Sequence, residues 1–196
     1  MWLKASLIGS ILMLGTIGAS ADSWLPAGPL MSSSPSTELI VRIEPGTVDT
    51  SAEATYFRRT ETPEKYVAYQ RVALRNASRP MEAHIDDHGN LVTIDEYGRP
   101  GYENALVIYD VGGKEVVAYD LEEIYSEFAT EQMGRTVTIR GWRHPHDTPH
   151  FDGGTFRILD SFGGVLIFDV KNGSISVFDA DPNMFRPDPR IHIRSQ

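Results

Sequence analysis

The chain has 196 residues and not one cysteine. Disulfides, thiolate nucleophiles and thiolate metal ligands are excluded together, and stability has to come from buried surface. Positive charge is also scarce: 18 Lys and Arg stand against 27 Asp and Glu, for a formal net charge of −9. Such a surface repels phosphate backbones and anionic lipid, which disfavours nucleic acid as a partner. No apolar run reaches the roughly 20 residues of a bilayer crossing. Familiar catalytic signatures are missing too. There is no H-E-x-x-H, no Walker loop and no dinucleotide fingerprint, and the EF-hand spacing with its distal Glu does not occur. No residue is singled out as catalytic.

What is present begins with an export signal. Lys4 gives a positive start, residues 5–18 are apolar and small, and Ala19-Ser20-Ala21 is a small-x-small cleavage site. Residues 1–21 are read as a signal peptide. The expected product is soluble, with no membrane anchor after processing, in a periplasmic or extracellular location. Residues 22–37, rich in Ser and Pro, are read as a linker, because such composition cannot offset its ordering entropy by burial. Residues 38–196 are expected to form one β-rich domain.

Within that domain, short runs rich in Val, Ile, Tyr and Phe alternate with Gly, Asn and Asp. Strands are expected at 38–43, 66–74, 81–85, 91–95, 105–110, 115–119, 136–140, 155–159, 165–169 and 174–178. Residues 45–63 are polar and weakly patterned, and no element is assigned there. Asn172-Gly173 between two apolar runs is a hairpin signal, since both residues tolerate positive φ. One helix interrupts the strands. Asp120 with Glu123 forms a capping-box start, Leu121, Ile124, Tyr125 and Phe128 make an apolar stripe, and Gly134 is its stop.

The most informative feature is an internal duplication. Residues 72–98 align with 137–163 without a gap: Val72 meets Val137, Arg75 meets Arg140, Asp87 meets Asp152, Gly89 meets Gly154, Asp95 meets Asp160 and Gly98 meets Gly163. The first copy then carries six extra residues, 99–104, after which 105–120 matches 164–179, with Asp110 opposite Asp169 and Asp120 opposite Asp179. The copies therefore span 72–120 and 137–179. A residue needed in both copies has a structural job more often than a chemical one. The repeated aspartates are read as closing turns, where a carboxylate accepts from turn N–H groups and Gly supplies backbone freedom.

The predicted class is thus mainly β, with two duplicated four-stranded antiparallel units and one helix between them. The run DHGNLVTIDEYG, followed by ALVIYDVGGKEVVAYDL, resembles the blade repeats of β-propellers found in exported bacterial proteins of unassigned function. The resemblance covers about half the chain and implies propeller-blade-like sheets. Two blades cannot close a ring, which takes four or more. Either residues 38–71 add part of a third unit, or the two units pack face to face as a sandwich. The sandwich is the preferred arrangement.

One segment has the residue types of a site. In 142–152 (WRHPHDTPHFD) three of the six histidines fall within seven residues. In an extended chain His144, His146, His150 and Asp152 share one parity, and imidazoles with a carboxylate suit Zn²⁺. The first copy has Arg79, Met81 and Ile85 opposite these histidines, so the cluster belongs to the second copy alone. Two prolines also make the segment an exposed loop, where such residues accumulate without function. Two functions are carried forward. The first is an exported soluble binding or scaffold domain without a cofactor, recognising a protein or glycan through its loops or the insertion at 99–104. The second is a metal-dependent hydrolase centred on His144, His146, His150 and Asp152, using zinc.

Overall fold

The computed structural model describes residues 24–61 and 65–194. The expected signal peptide at 1–21 lies outside the described residues. Three sheets follow one another along the chain. The first is an antiparallel meander of β1 (Leu30–Ser33), β2 (Leu39–Glu44), β3 (Glu53–Thr60) and β4 (Lys65–Ala73). The second is a meander of β5 (Pro80–Ile85), β6 (Leu91–Glu96), β7 (Leu106–Tyr109) and β8 (Glu115–Tyr119). Two short helices follow, α1 (Leu121–Ile124) and α2 (Glu127–Gln132), and then a small ribbon of β9 (Gly134–Arg135) and β10 (Arg140–Gly141). The third sheet contains β11 (His150–Asp152), β12 (Thr155–Leu159), β13 (Val165–Asp169) and β14 (Ile175–Phe178), and β15 (Ile191–Arg194) joins it in parallel to β14.

The duplicated units are the second sheet and the first four strands of the third. The first sheet precedes both, and only its β2 and β4 were legible. β3 escapes the sequence pattern because its inward residues are few, Ala54 and Tyr56, and the rest of its face is polar. β1 falls inside the segment read as a linker, yet it pairs with β2 from Leu30↔Ile43 to Ser33↔Ile40.

The middle sheet explains the composition of its own strands. Val92, Ile94, Leu106 and Ile108 pack on Phe156, Ile158, Leu166 and Phe168 of the third sheet. Leu91, Val107 and Tyr109 pack on Val41, Ile43 and Tyr56 of the first. With both faces covered, β6 and β7 are buried at every position; β7 (LVIY) reads as continuous apolar text, while β6 (LVTIDE) also buries Thr93, Asp95 and Glu96. The third sheet covers one face only, so β12 and β13 alternate buried and half-buried residues. The opening strands β1, β5 and β11 lie side by side. The sheets are therefore stacked face to face like successive blades, as an open stack of three rather than a two-sheet sandwich.

The repeated turn glycines act as expected, and so do some of the repeated aspartates. Gly89 and Gly154 have φ of 103° and 88°, and Gly98 and Gly163 have φ of 84° and 89°, a region that only Gly enters freely. Asp110 accepts from the N–H groups of Gly112 and Lys114, and Asp169 from Lys171, each at 2.8–2.9 Å. In the 86–90 turn the carboxylate is Asp86, which takes the N–H groups of His88, Gly89 and Asn90. Its neighbour Asp87 reaches to Ser36 of the first sheet instead.

The single expected helix is two. Asp120 begins α1 and donates its N–H to Glu123 at 3.0 Å. Tyr125 then leaves the helix with φ −104° and ψ 152°, and Ser126 caps α2 through the N–H of Ala129. Tyr125 is drawn out of the helix because its ring packs on Phe185 and its hydroxyl donates to Asp160. Leu121, Ile124 and Tyr125 are buried, but the break rotates Phe128 into solvent at 56% exposure. α2 ends at Gln132 with Met133 as its cap, ahead of Gly134. The strand expected at 136–140 is instead the turn of the β9–β10 ribbon, with Val137 fully in solvent. Among the described residues no helix is long and apolar enough to cross a membrane.

Candidate binding cleft

The four residues proposed as metal ligands do not meet. The rings of His144 and His146 are 5.7 Å apart, and the N–H of His146 points to Nδ1 of His144 at 3.3 Å. His150 sits in β11, and its Nδ1 is 2.9 Å from the carbonyl oxygen of Thr148. It borders a separate hollow with Ser32, Pro35 and His84. Asp152 lies 3.6 Å from Arg157. Among the described residues no three His, Asp or Glu side chains converge to hold an ion. The shared parity fails because β11 begins only at His150, while 144–147 is a turn closed by the Asp147 N–H on the His144 carbonyl oxygen.

The same segment does contribute to a site, through other residues. Trp142, Arg143, His144, Pro145 and Asp147 line a cleft of about 320 Å³ together with Trp24, Met81, Glu82, Asp95, Pro100 and Arg140. A larger hollow of about 730 Å³ lies between Asp110 and Asp169, but both carboxylates there are occupied in closing their own turns. The cleft at Asp95 is different.

Asp95 is 3% exposed and holds φ of 58°, a strained setting that a non-glycine residue adopts only when its surroundings enforce it. Two donors enforce it. Trp142 Nε1 donates to Oδ1 at 2.8 Å, and the N–H of Gly101 donates to the same oxygen at 2.9 Å. Gly101 is required there. Its φ is +75°, and a Cβ would stand 2.7 Å from the carbonyl oxygen of Arg140. Asp95 Oδ2 is left facing Arg143 Nη2 at 3.7 Å. Burial pushes the carboxyl up to about 6, against the opposing pull of Trp142, Arg143 and Gly101.

Arg143 is shared. It donates to Glu82 Oε1 at 2.6 Å, and Glu82 Oε2 lies 3.4 Å from His84 Nε2. The His84 bond, aided by Arg143 and opposed by burial, holds Glu82 down at about 2. Arg140 is committed elsewhere: it bonds Glu122 and stacks 4.6 Å from the Tyr102 ring centroid. Its Nε is a buried donor without a partner. Asp147 Oδ2 is a buried acceptor without a partner. At the rim, Trp24 is 36% exposed, with its indole edge-on to Tyr97.

The insertion at 99–104 builds this cleft more than it presents itself. Pro100 lines it and Gly101 binds Asp95, while Tyr102 donates to the carbonyl oxygen of Thr136. Sequence reading set Asp95 aside as a turn residue and passed over Glu82 and Trp24. A signal was available: the insertion follows one copy's aspartate and not the other's.

No protein-family model and no curated protein matches the chain. Among solved structures, the chain is similar to the crystal structure of HIRA(644-1017), with 13% identity and a TM-score of 0.44. The match covers 77% of this chain and spans 40% of that one.

Proposed function

We propose that the protein is an exported, soluble binding domain whose partner engages the cleft between Trp24, Asp95 and Trp142. The observation that carries the reading is Asp95, a buried carboxylate held in a left-handed backbone where it lines an open cleft. Its Oδ2 has only a distant guanidinium. Residues held in such sparsely populated backbone settings cluster at ligand sites. The exposed indole of Trp24 adds an apolar contact at the rim. A reactive assembly has less support, because among the described residues that line the cleft no nucleophile stands paired with a base.

Site-specific crosslinking tests this. A photoreactive phenylalanine analogue at Ile139, which lines the cleft and is 39% exposed, should trap a partner in the producing culture. The same probe at Val48, fully in solvent and outside the cleft lining, should not. Equal labelling from both positions would remove the cleft from consideration. Metal analysis of the purified chain is expected to find no stoichiometric metal. A transition metal that disappears when His144, His146 and His150 are replaced by alanine would favour the zinc hydrolase instead.

A further inference from the structure

The stack of three sheets is a fan with two open ends. Its opening strands β1, β5 and β11 approach one another, whereas the outer strands β4, β8 and β14 do not come as close. Ser32, His84 and His150, one from each opening strand, border a single hollow of about 310 Å³, so these strands converge on a common axis. Only the middle sheet has both faces covered. On the outward face of the first sheet Ile40 pairs with Phe57, and Met31 beside them is 63% exposed. On the outward face of the third, Leu159, Val165 and Phe178 form one cross-strand row, and Ile167 stands in the next. None of these side chains belongs to either buried core. The charges around them are paired within their own face: Arg42 with Glu44 at 2.5 Å, Arg71 with Glu53 at 3.5 Å, and Arg157 with Asp152 at 3.6 Å. Neither face sets a repulsive field against the other, and the apolar rows are left to decide what covers them.

The geometry points to a second copy of this chain as the occupant of both faces: the third sheet of each copy stacks on the first sheet of the other, and six sheets close a ring. The contact continues the one already made twice inside the chain, where neighbouring sheets pack apolar faces with their opening strands side by side. Radial stacks close with roughly four to eight sheets. Three fall short of that, two copies supply six, and three copies would overshoot at about nine. Unlike faces in contact form a closed particle when the rotation returns to its start, as a fan about one axis allows. Two copies joined through the same face would instead leave the other face bare. Closure also completes the axial hollow, to which the second copy adds its own opening strands.

Sedimentation equilibrium of the full exported chain over a dilution series tests this, and it should give twice the chain mass. A single-chain mass overturns the inference. So does a mass that grows past two chains with concentration, the mark of an open filament. Phe57→Glu and Ile167→Glu each put a charge into one end face, and each should weaken association at least about tenfold. Mixed in equal amounts, the two variants should recover two-chain particles, because the intact third sheet of one still meets the intact first sheet of the other. Failure to recover overturns the ring. Loss from Phe57→Glu with no effect of Ile167→Glu, or the reverse, shows like faces in contact and overturns it as well. Circular dichroism checks that each variant is folded. Where one is not, Met31→Glu or Ser176→Glu on the same face takes its place.

Discussion

Asp95 and Asp160 occupy the same position in the two copies and have separate fates. Asp160 closes its own turn: Oδ1 accepts the N–H groups of Phe162 and Gly164 at 2.9 and 2.7 Å, and Oδ2 takes the hydroxyl of Tyr125 at 3.3 Å. Asp95 has no such turn to close. The six extra residues after Gly98 carry the chain away, and only Gly101 returns an N–H to the carboxylate. The freed side chain turns to Trp142 of the other copy and to Arg143, at the cost of a left-handed backbone. The two copies thus share an aspartate at this position, and in the copy where six extra residues follow it the aspartate lines a cleft instead of closing a turn. Both carboxyls are raised by burial, but only the Asp95 carboxyl borders open space.

If that division is right, removing the two carboxylates should differ in kind. Asp160→Ala strands two main-chain donors and a tyrosine hydroxyl in the interior. It should cost about 3–4 kcal/mol in urea unfolding. Asp95→Asn keeps an oxygen for Trp142 and Gly101, and Asn tolerates positive φ. Its loss at pH 5 should stay below about 1 kcal/mol. Equal losses from the two would mean that Asp95 is a second turn aspartate.

The next effect follows from titration. The folded Asp95 carboxyl, at about 6, lies above its ordinary value of 3.8. Its contribution to stability is therefore complete below about pH 4 and is lost as pH rises through 6, by roughly 2–3 kcal/mol in all. Glu82 and Arg143 are the charged groups facing it from β5 and the 140–147 segment. Glu82 acts oppositely and in another window, since its lowered value withdraws stability only as pH falls from about 4.5 toward 2. Unfolding measured from pH 4.5 to 7.5 should show the decline in the parent chain. Asp95→Asn should flatten it, and an unchanged slope would refute the assignment.

A smaller contrast concerns glycine. Gly101→Ala meets both a positive φ and the Arg140 carbonyl, whereas Gly163→Ala in the second copy meets only the φ of +89° with open space around it. The expected losses are about 2–3 and about 1 kcal/mol, measurable as separate shifts in Tm. The smallest effect is at the rim. Trp24→Ala should change stability by less than about 1 kcal/mol. It should nonetheless reduce the crosslink trapped from Ile139.

What the residues determined alone is what neighbours in the chain can decide. The duplicated strands, their turn glycines and the start of α1 at Asp120 all arise from spacing over a few residues, because one hydrogen bond or one face of a strand links them. The break at Tyr125 was decided from outside, by Phe185 and Asp160 pulling the ring into the core. The first sheet needed the middle sheet's second face before its sparse apolar residues could count. The histidines shared a parity on paper but not in space, since a turn and a strand divide them. The cleft is the clearest case. Trp24, the 82–100 stretch with Glu82, Asp95 and Pro100, and Asp147 are far apart in the chain, and apart from the insertion after Asp95 nothing in their own neighbours marks the site. Only the stacking of the second and third sheets brings the indole of Trp142 onto a carboxylate 47 residues before it, and burial there gives that carboxylate its character.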